Sequence, residues 1–561
     1  MKRIIYFISA LAAFLSAVSC DGLDQYPVTD PSKNEVYKDV AGYQSVLNGI
    51  YATYIQRSSD VSTEDRSKNY LRVLWMFQDA STDALDDVWL AGESLSPING
   101  LSWTAGDSWV SAMYYHIYKI VAMSNELIRN ASDDNIRSFS ATDRERIVTY
   151  RNEARFLRAW AYSHALDFYC KMPFVTEDDG VGSYIPRTYT RKEMFSWLTG
   201  ELEDLAAQLA DRSYGHANRF AAYTLLARLY LNSGVYLGIS EKANYDKCIE
   251  YCLKVEDEGG YTLEKDYASL FNGDNHKRTN EIIFALACDA ANTTTWDATT
   301  FITCGSVLEN LADYEKVYGT KDSGFWNCLR ARPQLVDAFS TPGDSRALFL
   351  GYDRAAIPEG GSIPDGFEAR DMDGDGVPDT DYAYCDRPKD IIGHDETTSG
   401  YRVCKWTNLD DNGESASSCS DGGGANTDFP VFRLADVYLM IAEAVLRGGS
   451  YGSVQSADDG RAYLNKVRSR AFGSETVGQT SGADYTLDYI LNERLREFYM
   501  ETVRRTDLIR FGKYTSGYKW QWKGGDKDGR DVDAKFMYLP IPEAELSANP
   551  DLRNANAELG Y

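Results

Sequence analysis

Apolar residues recur every three or four positions in several blocks, and long stretches without that rhythm separate them. This limits the chain to a helical scaffold with irregular insertions. The strongest stripe is Leu434, Val437, Tyr438, Ile441, Ala442 and Val445, at spacings of 3, 1, 3, 1 and 3, which is the period of one helix face. Tyr150, Ala154, Leu157, Ala161 and Ala165 follow at 4, 3, 4 and 4, with Arg151, Arg155 and Arg158 off the stripe. Leu225, Leu226 and Leu229 mark a helix within 219–234, and 490–512 reads as one further helix stopped by Gly512. Small Ala residues on these stripes let neighbouring helices approach closely. A mainly α fold is expected, a tetratricopeptide-like scaffold of stacked helix pairs with degenerate repeats.

The aperiodic stretches are roughly 56–108, 289–332 and 351–428, rich in Gly, Asp, Ser, Thr and aromatics. Loops of that length are usually functional or disordered. Their tryptophans argue against disorder, so the insertions are expected to carry the function. With 84 acidic against 58 basic side chains the net charge is −26, and no basic stripe offsets it. Phosphate backbones are repelled, which excludes nucleic-acid binding. The sequence holds no Walker A or dinucleotide glycine loop. Its five histidines (His116, His164, His216, His276 and His394) fall in no metal spacing. Among so many carboxylates an acidic pair alone says nothing, and no enzyme is expected.

Lys2 and Arg3 precede an apolar run from Ile4 to Val18, too short to span a bilayer, that reads as a signal peptide. It ends Ala17-Val18-Ser19-Cys20, similar to a lipoprotein processing box. Residues 1–19 are expected to be removed, Cys20 lipidated, and the polar stretch after it to act as a tether. Nine cysteines remain, at irregular spacing, which is no disulfide framework. Cys248 and Cys252 share a helix face. Buried thiols with one or two bridges are expected, and the spacing does not say which.

Six segments then occur in order: LDQYP (23–27), YKDVAGYQSVLNGIYATY (37–54), MFQDASTDAL (76–85), NEARFLRAWAYSHALDFYCKMPFV (152–175), FRLADVYLMIAEA (432–444) and NERLREFYMETVRRTDLIRFGKY (492–514), with LPIPEAELSANPDL (539–552) closing the series. Behind a lipobox, this succession resembles the SusD/RagB family of surface lipoproteins. Gln78 and Cys170 stand where that family usually has Gly. The resemblance implies a SusD-like N-terminal helical region over 20–235 and a SusD/RagB region with ligand-binding insertions over 236–561. It implies an outer-membrane, cell-surface, lipid-anchored protein that captures oligo- or polysaccharide and delivers it to a SusC-like TonB-dependent transporter. A peptide-binding protein of the same architecture and, more remotely, a glycoside hydrolase are the alternatives. Glu153, Arg155, Arg433, Asp436, Glu443, Glu493, Arg494, Glu497, Arg504 and Asp507 are charges on or beside apolar faces, and are expected to pair across helix interfaces.

Sugar rings present an apolar C–H face that a flat indole or phenol covers at low entropy cost. Trp89, Trp103, Trp296, Tyr314, Trp326 and Trp406 lie in the insertions among polar neighbours and off any apolar stripe. These six are the candidate ligand-binding residues, with Trp89, Trp296 and Trp326 foremost. Trp109, Trp160 and Trp197 fall on helix patterns and are read as core. Nearby acidic groups favour a neutral or weakly charged glycan.

One further motif has its own chemistry, DMDGDGVPDTD over 371–381. Asp371, Asp373 and Asp375 take positions 1, 3 and 5 of a calcium loop, with Gly376 at the sharp turn. Val377 supplies a backbone carbonyl, and Asp379 follows at position 9. Tyr382 stands where the bidentate Glu belongs, and Asp381 is the expected substitute. A structural Ca²⁺ is expected there.

Overall fold

The computed structural model describes residues 33–56, 68–180, 182, 184–293, 295–307, 314–320, 326–351, 387–394, 398–417, 419 and 424–561. The principal helices are α1 (Val40–Thr53), α2 (Tyr70–Trp75), α3 (Ser108–Asn130), α4 (Ala141–Phe168), α5 (Arg191–Ala206), α6 (Arg219–Leu231), α7 (Lys242–Gly259), α8 (Thr299–Cys304), α9 (Leu434–Leu446), α10 (Ala457–Phe472), α11 (Leu487–Phe498) and α12 (Arg504–Arg510). Strands occur in two-stranded antiparallel ribbons: β1 (Leu85–Asp87) with β5 (Leu329–Ala331), β2 (Lys171–Phe174) with β3 (Arg187–Thr190), β4 (Ile282–Leu286) with β8 (Phe429–Arg433), and β6 (Phe349–Leu350) with β7 (Arg402–Val403). The fold is mainly α, as its periodicity requires.

Local chemistry sets the helix ends. Ser140 accepts a hydrogen bond from Asp143 N at the start of α4, and Thr190 with Glu193, then Ser456 with Asp459, form reciprocal capping boxes on α5 and α10. Gly473 in the left-handed region ends α10. Successive helices are neighbours: α1 packs on α3 and α4, α3 on α4, α4 on α5, α5 on α6, α6 on α7, α7 on α9, and α9 on α10 and α11. Such nearest-neighbour stacking fits the tetratricopeptide-type array. The expected stripe of α4 is buried at Ala154, Leu157, Ala161 and Ala165. In α9, Leu434 to Ala444 are all buried, because this helix is enclosed by neighbours on every side.

Charges in the array pair as expected. Arg433 holds Glu281 at 2.7 Å, Glu497 at 2.9 Å and Glu501 at 2.8 Å. Asp436 lies between Arg228 at 2.6 Å and Arg494 at 2.8 Å. Glu443 meets Arg510 at 2.7 Å, and Arg494 meets Asp507 at 2.8 Å. Glu493 pairs with Arg346, Arg468 and Arg496. Arg155 binds Glu201 at 2.8 Å, and Glu153 accepts from Tyr51 Oη at 2.6 Å. These guanidinium partners hold Glu443 and Glu497 down to about 2, against the burial that pushes each up.

Two expectations about the elements change. The single helix expected over 490–512 is two, α11 and α12, separated by a break in which Met500 and Thr502 have φ of 65° and 61°. The backbone N–H groups of these two residues donate to the two oxygens of Asp79, at 3.1 and 2.8 Å, which compensates for the strain. The first insertion, 56–108, is no surface loop over its 68–88 stretch. Lys68 to Val88 are all buried, with Arg504 gripping Asp83 at 2.6 Å and Arg330 gripping Asp86 at 2.8 Å.

Candidate functional site

The pairing of β1 with β5 builds the site. Asp87 sits opposite Leu329, and the next amide, Val88 N, donates to Cys328 O at 3.0 Å. Trp89 and Trp326 therefore leave the same end of one ribbon, and their ring centroids are 6.1 Å apart at 36°. The chain before β5 is docked on the C-terminus of α8. Trp326 N donates to Cys304 O at 3.1 Å, and Cys328 N to Gly305 O at 2.7 Å. A Cβ on Gly305 would lie 2.6 Å from a Leu329 methyl, so this close approach needs glycine. Trp296, in the turn that leads into α8, brings its ring to 5.2 Å from Trp326 at 60°. The three foremost candidates thus converge from three separate segments, each ring partly exposed.

A second layer fixes them. Phe301 of α8 lies 6.0 Å behind Trp326 and 5.7 Å edge-on from Trp75. The Arg72 guanidinium stacks 4.0 Å over Phe301 and pairs with Glu93 and, at 3.9 Å, with Asp297 beside Trp296. Asp87 Oδ1 accepts from Trp89 N at 2.9 Å. Burial pushes the Asp87 carboxyl up to about 7, against the opposing pull of that N–H and of Arg72. Phe301, Arg72 and Asp87 had no signal in the sequence: each is an ordinary residue until the ribbon and α8 meet.

The other candidates stand elsewhere. Trp103 is buried at 1% exposure, its Nε1 donating to Tyr538 O at 3.1 Å and Tyr561 Oη at 2.8 Å. Trp406 is equally buried and stacks on Phe429 at 5.3 Å and 9°. Neither offers a face to a ligand, which corrects their assignment. Polar sequence neighbours had marked them as exposed, but such neighbours can be buried as well: Lys405 and Asn408 beside Trp406 are both in the interior. Tyr314 begins a short helix, Tyr314–Tyr318, and its side chain is outside the described residues. So are Cys20 and the expected calcium ligands Asp371, Asp373, Asp375, Val377, Asp379 and Asp381. Among the described residues no group of three or more acidic, His or Cys side chains is arranged to hold a metal.

Trp109 and Trp160 are core, as expected, and Trp197 packs against the core while partly exposed. His116 and His164 lie on α3 and α4, held neutral by burial at about 4 and about 3. An interhelical cavity lined by Trp160, His164, Asp167, Arg228, Arg494 and Asp507 does not include Trp89, Trp296 or Trp326 in its lining. Its charges are already paired, Asp167 with Arg505 at 2.8 Å and Arg228 with Asp436. The tryptophan cluster is a shelf of apolar faces over a floor of Phe301, the ion-paired Arg72 and Asp87. Such a surface is shaped to accept flat apolar faces.

Two family models match the chain: one described as the SusD family over residues 377–561, the other as starch-binding associating with outer membrane over 29–231. The chain belongs to the SusD/RagB family. Among curated relatives in it, the starch-binding protein SusD of Bacteroides thetaiotaomicron is 28% identical, covering 99% of this chain and 98% of that one. SusD-like protein P25 of Formosa agariphila is 24% identical over 96% of each. A crystal structure of a SusD superfamily protein from B. thetaiotaomicron superposes with a TM-score of 0.66 at 19% identity, covering 91% of this chain and 98% of that one. The surface glycan-binding protein A of Bacteroides fluxus does so with 0.63 at 18%, covering 91% and 96%. At these identities the structural likeness establishes the fold. The names of these SusD-like relatives, where they state a role, describe binding proteins and not enzymes.

Proposed function

We propose that this protein is a cell-surface glycan-binding lipoprotein whose shelf of Trp89, Trp296 and Trp326 captures a neutral oligo- or polysaccharide and passes it to a SusC-like TonB-dependent transporter. The observation that carries this reading is the convergence of three partly exposed indoles from distant segments. A relative named for starch binding and a family model named for the outer membrane support it. Lipidation at Cys20 supplies the anchor, and the polar stretch that follows supplies the reach for a hinged hand-over. A Ca²⁺ in the 371–381 loop supplies structural order.

Each ring stacked on a sugar contributes on the scale of other aromatic stacking contacts. Trp326→Ala or Trp89→Ala is therefore expected to cost ~1–3 kcal/mol of glycan binding by calorimetry, with circular dichroism unchanged. Unaltered affinity in both variants for a glycan the wild type binds would move the site. The anchor has its own test. Cys20→Ala, expressed in cells lacking the transporter, is expected in the soluble exported fraction. Its retention in the membrane fraction would refute lipidation.

A further inference from the structure

Beneath Trp326 two thiols from distant parts of the chain are in contact. Cys304 is the last residue of α8, and Cys419 belongs to the third insertion. With Ala425 they form a separate apolar cluster, all three with no exposed surface, and the Trp326 side chain packs against it. Both are free thiols in the structure, packed together in that cluster. Ala425, the third member of the cluster, is held to α8 and to the turn before it: Ala425 N donates to Thr300 Oγ1 at 2.8 Å, and Thr295 Oγ1 donates to Ala425 O at 3.3 Å. Cys419 itself has φ of 49°, a conformation that costs a non-glycine residue energy and persists where its surroundings impose it.

We infer that Cys304 and Cys419 are joined by a disulfide in the mature protein, and that this bond clamps the floor on which Trp326 rests. Contact alone does not single out this pair, since Cys248 and Cys252 are also buried neighbours. Those two sit one turn apart on α7, where side chains at i and i+4 keep their Cβ atoms about 5–6 Å apart. A disulfide needs about 3.5–4.5 Å, so that pair stays reduced. Cys304 and Cys419 come from separate elements and face no such limit. The bond would join α8, the Trp326 segment and the third insertion at one point, because Cys304 O also accepts the Trp326 N–H.

The timing follows from chemistry. Exchange requires a thiolate, and both the neighbouring Cys419 thiol and burial push the Cys304 thiol up in the folded protein. The bond therefore forms while the chain folds and both sulfurs are accessible. One thiol loses its proton and attacks an external disulfide, forming a mixed disulfide and expelling one external thiol. The second thiolate attacks the cysteine sulfur of that mixed disulfide and expels the other. Two protons and two electrons leave the protein, and the external disulfide is reduced to two thiols. An extracytoplasmic location supplies such oxidants.

The role as a clamp rests on the glycan-binding reading, whereas the bond itself does not, and the test separates them. Full-length protein is refolded from the reduced state with a reduced and oxidised glutathione mixture. It is then trapped with N-ethylmaleimide in denaturant, digested and analysed by mass spectrometry. The expected result is one peptide pair linked through Cys304 and Cys419, with Cys248 and Cys252 alkylated. The oxidised protein should melt at a higher temperature than the same protein reduced, a shift lost in C304S/C419S and kept in C248S/C252S. Recovery of Cys304 and Cys419 as alkylated thiols from folded, oxidised protein would overturn the inference, whether or not the double variant folds. Linkage without any glycan binding would leave the bond standing and remove the clamp's proposed purpose.

Discussion

Asp87 has one carboxylate oxygen on the Trp89 amide at 2.9 Å, while the other is buried with no hydrogen-bond partner among the described residues. This half-satisfied acid sits directly under the proposed shelf. Burial raises its pKa from 3.8 to about 7, so the folded protein keeps the proton over a range in which the unfolded chain has released it. The sign follows. Below about pH 4 both states hold the proton. As pH rises toward 7 only the folded state does, and stability falls with each step until both are ionised. Asp87→Asn keeps the acceptor for Trp89 and removes the titration. Relative to that variant, the wild type is expected to lose on the order of 3 kcal/mol between pH 5 and pH 8, measured by denaturant unfolding. Comparing the two also cancels the contribution of Asp79, which burial raises in the same direction to about 7. Parallel pH profiles in the two proteins would place the proton elsewhere.

At the scale of elements, what the sequence made legible depended on how local the cause was. The stripes of α4 and α9 are local, and both helices appear where their spacing puts them. The stop at Gly512 is local too, with φ of 67°. The break between α11 and α12 is not. It depends on Asp79, 421 residues away from Met500 in the chain, and the run from 490 to 512 is otherwise a good helical pattern. The burial of 68–88 was hidden for a related reason. Asp83 and Asp86 looked like solvent-facing residues until Arg330, Arg332 and Arg504 arrived to pair with them, and such partners offset the cost of burying an ionised carboxylate; Asp79 and Asp87 lack that pairing and are pushed toward the neutral form instead. The tryptophans divide the same way. Composition alone could not separate Trp326 from Trp406, because both lie beside polar runs, KDSG before Trp326 and TNLDDNG after Trp406. The difference lies in Phe429 of β8, which covers the Trp406 ring, whereas the partners of Trp326 leave it partly open.

For the whole molecule, the excess of acid has its sharpest local expression in 371–381, where five aspartates fall within eleven residues. In a chain of net charge −26 such a cluster repels itself as well as the rest of the protein, so a divalent cation there gives more than local order. Hard oxygen donors at alternating positions, with glycine at the turn, suit Ca²⁺, whose irregular six- to eightfold coordination tolerates the missing twelfth-position Glu better than the strict octahedron of Mg²⁺ does. An ion that binds only the folded chain stabilises it by mass action, about 2.7 kcal/mol when its free concentration is a hundred times Kd. Chelator-treated protein is therefore expected to melt higher when Ca²⁺ is restored, and less so with Mg²⁺. Asp373→Ala/Asp375→Ala should abolish the response while leaving the melting temperature in chelator the same or higher, since two unneutralised charges are gone. Identical melting in calcium and in chelator, together with no metal in the protein as purified, would reject the site. A shift that survives the double substitution would place the ion on other ligands. If the calcium response and the glutathione-dependent shift are both present, their combination tests whether the third insertion is held at two independent points. Distant, unshared constraints add, whereas constraints on one cooperative unit do not.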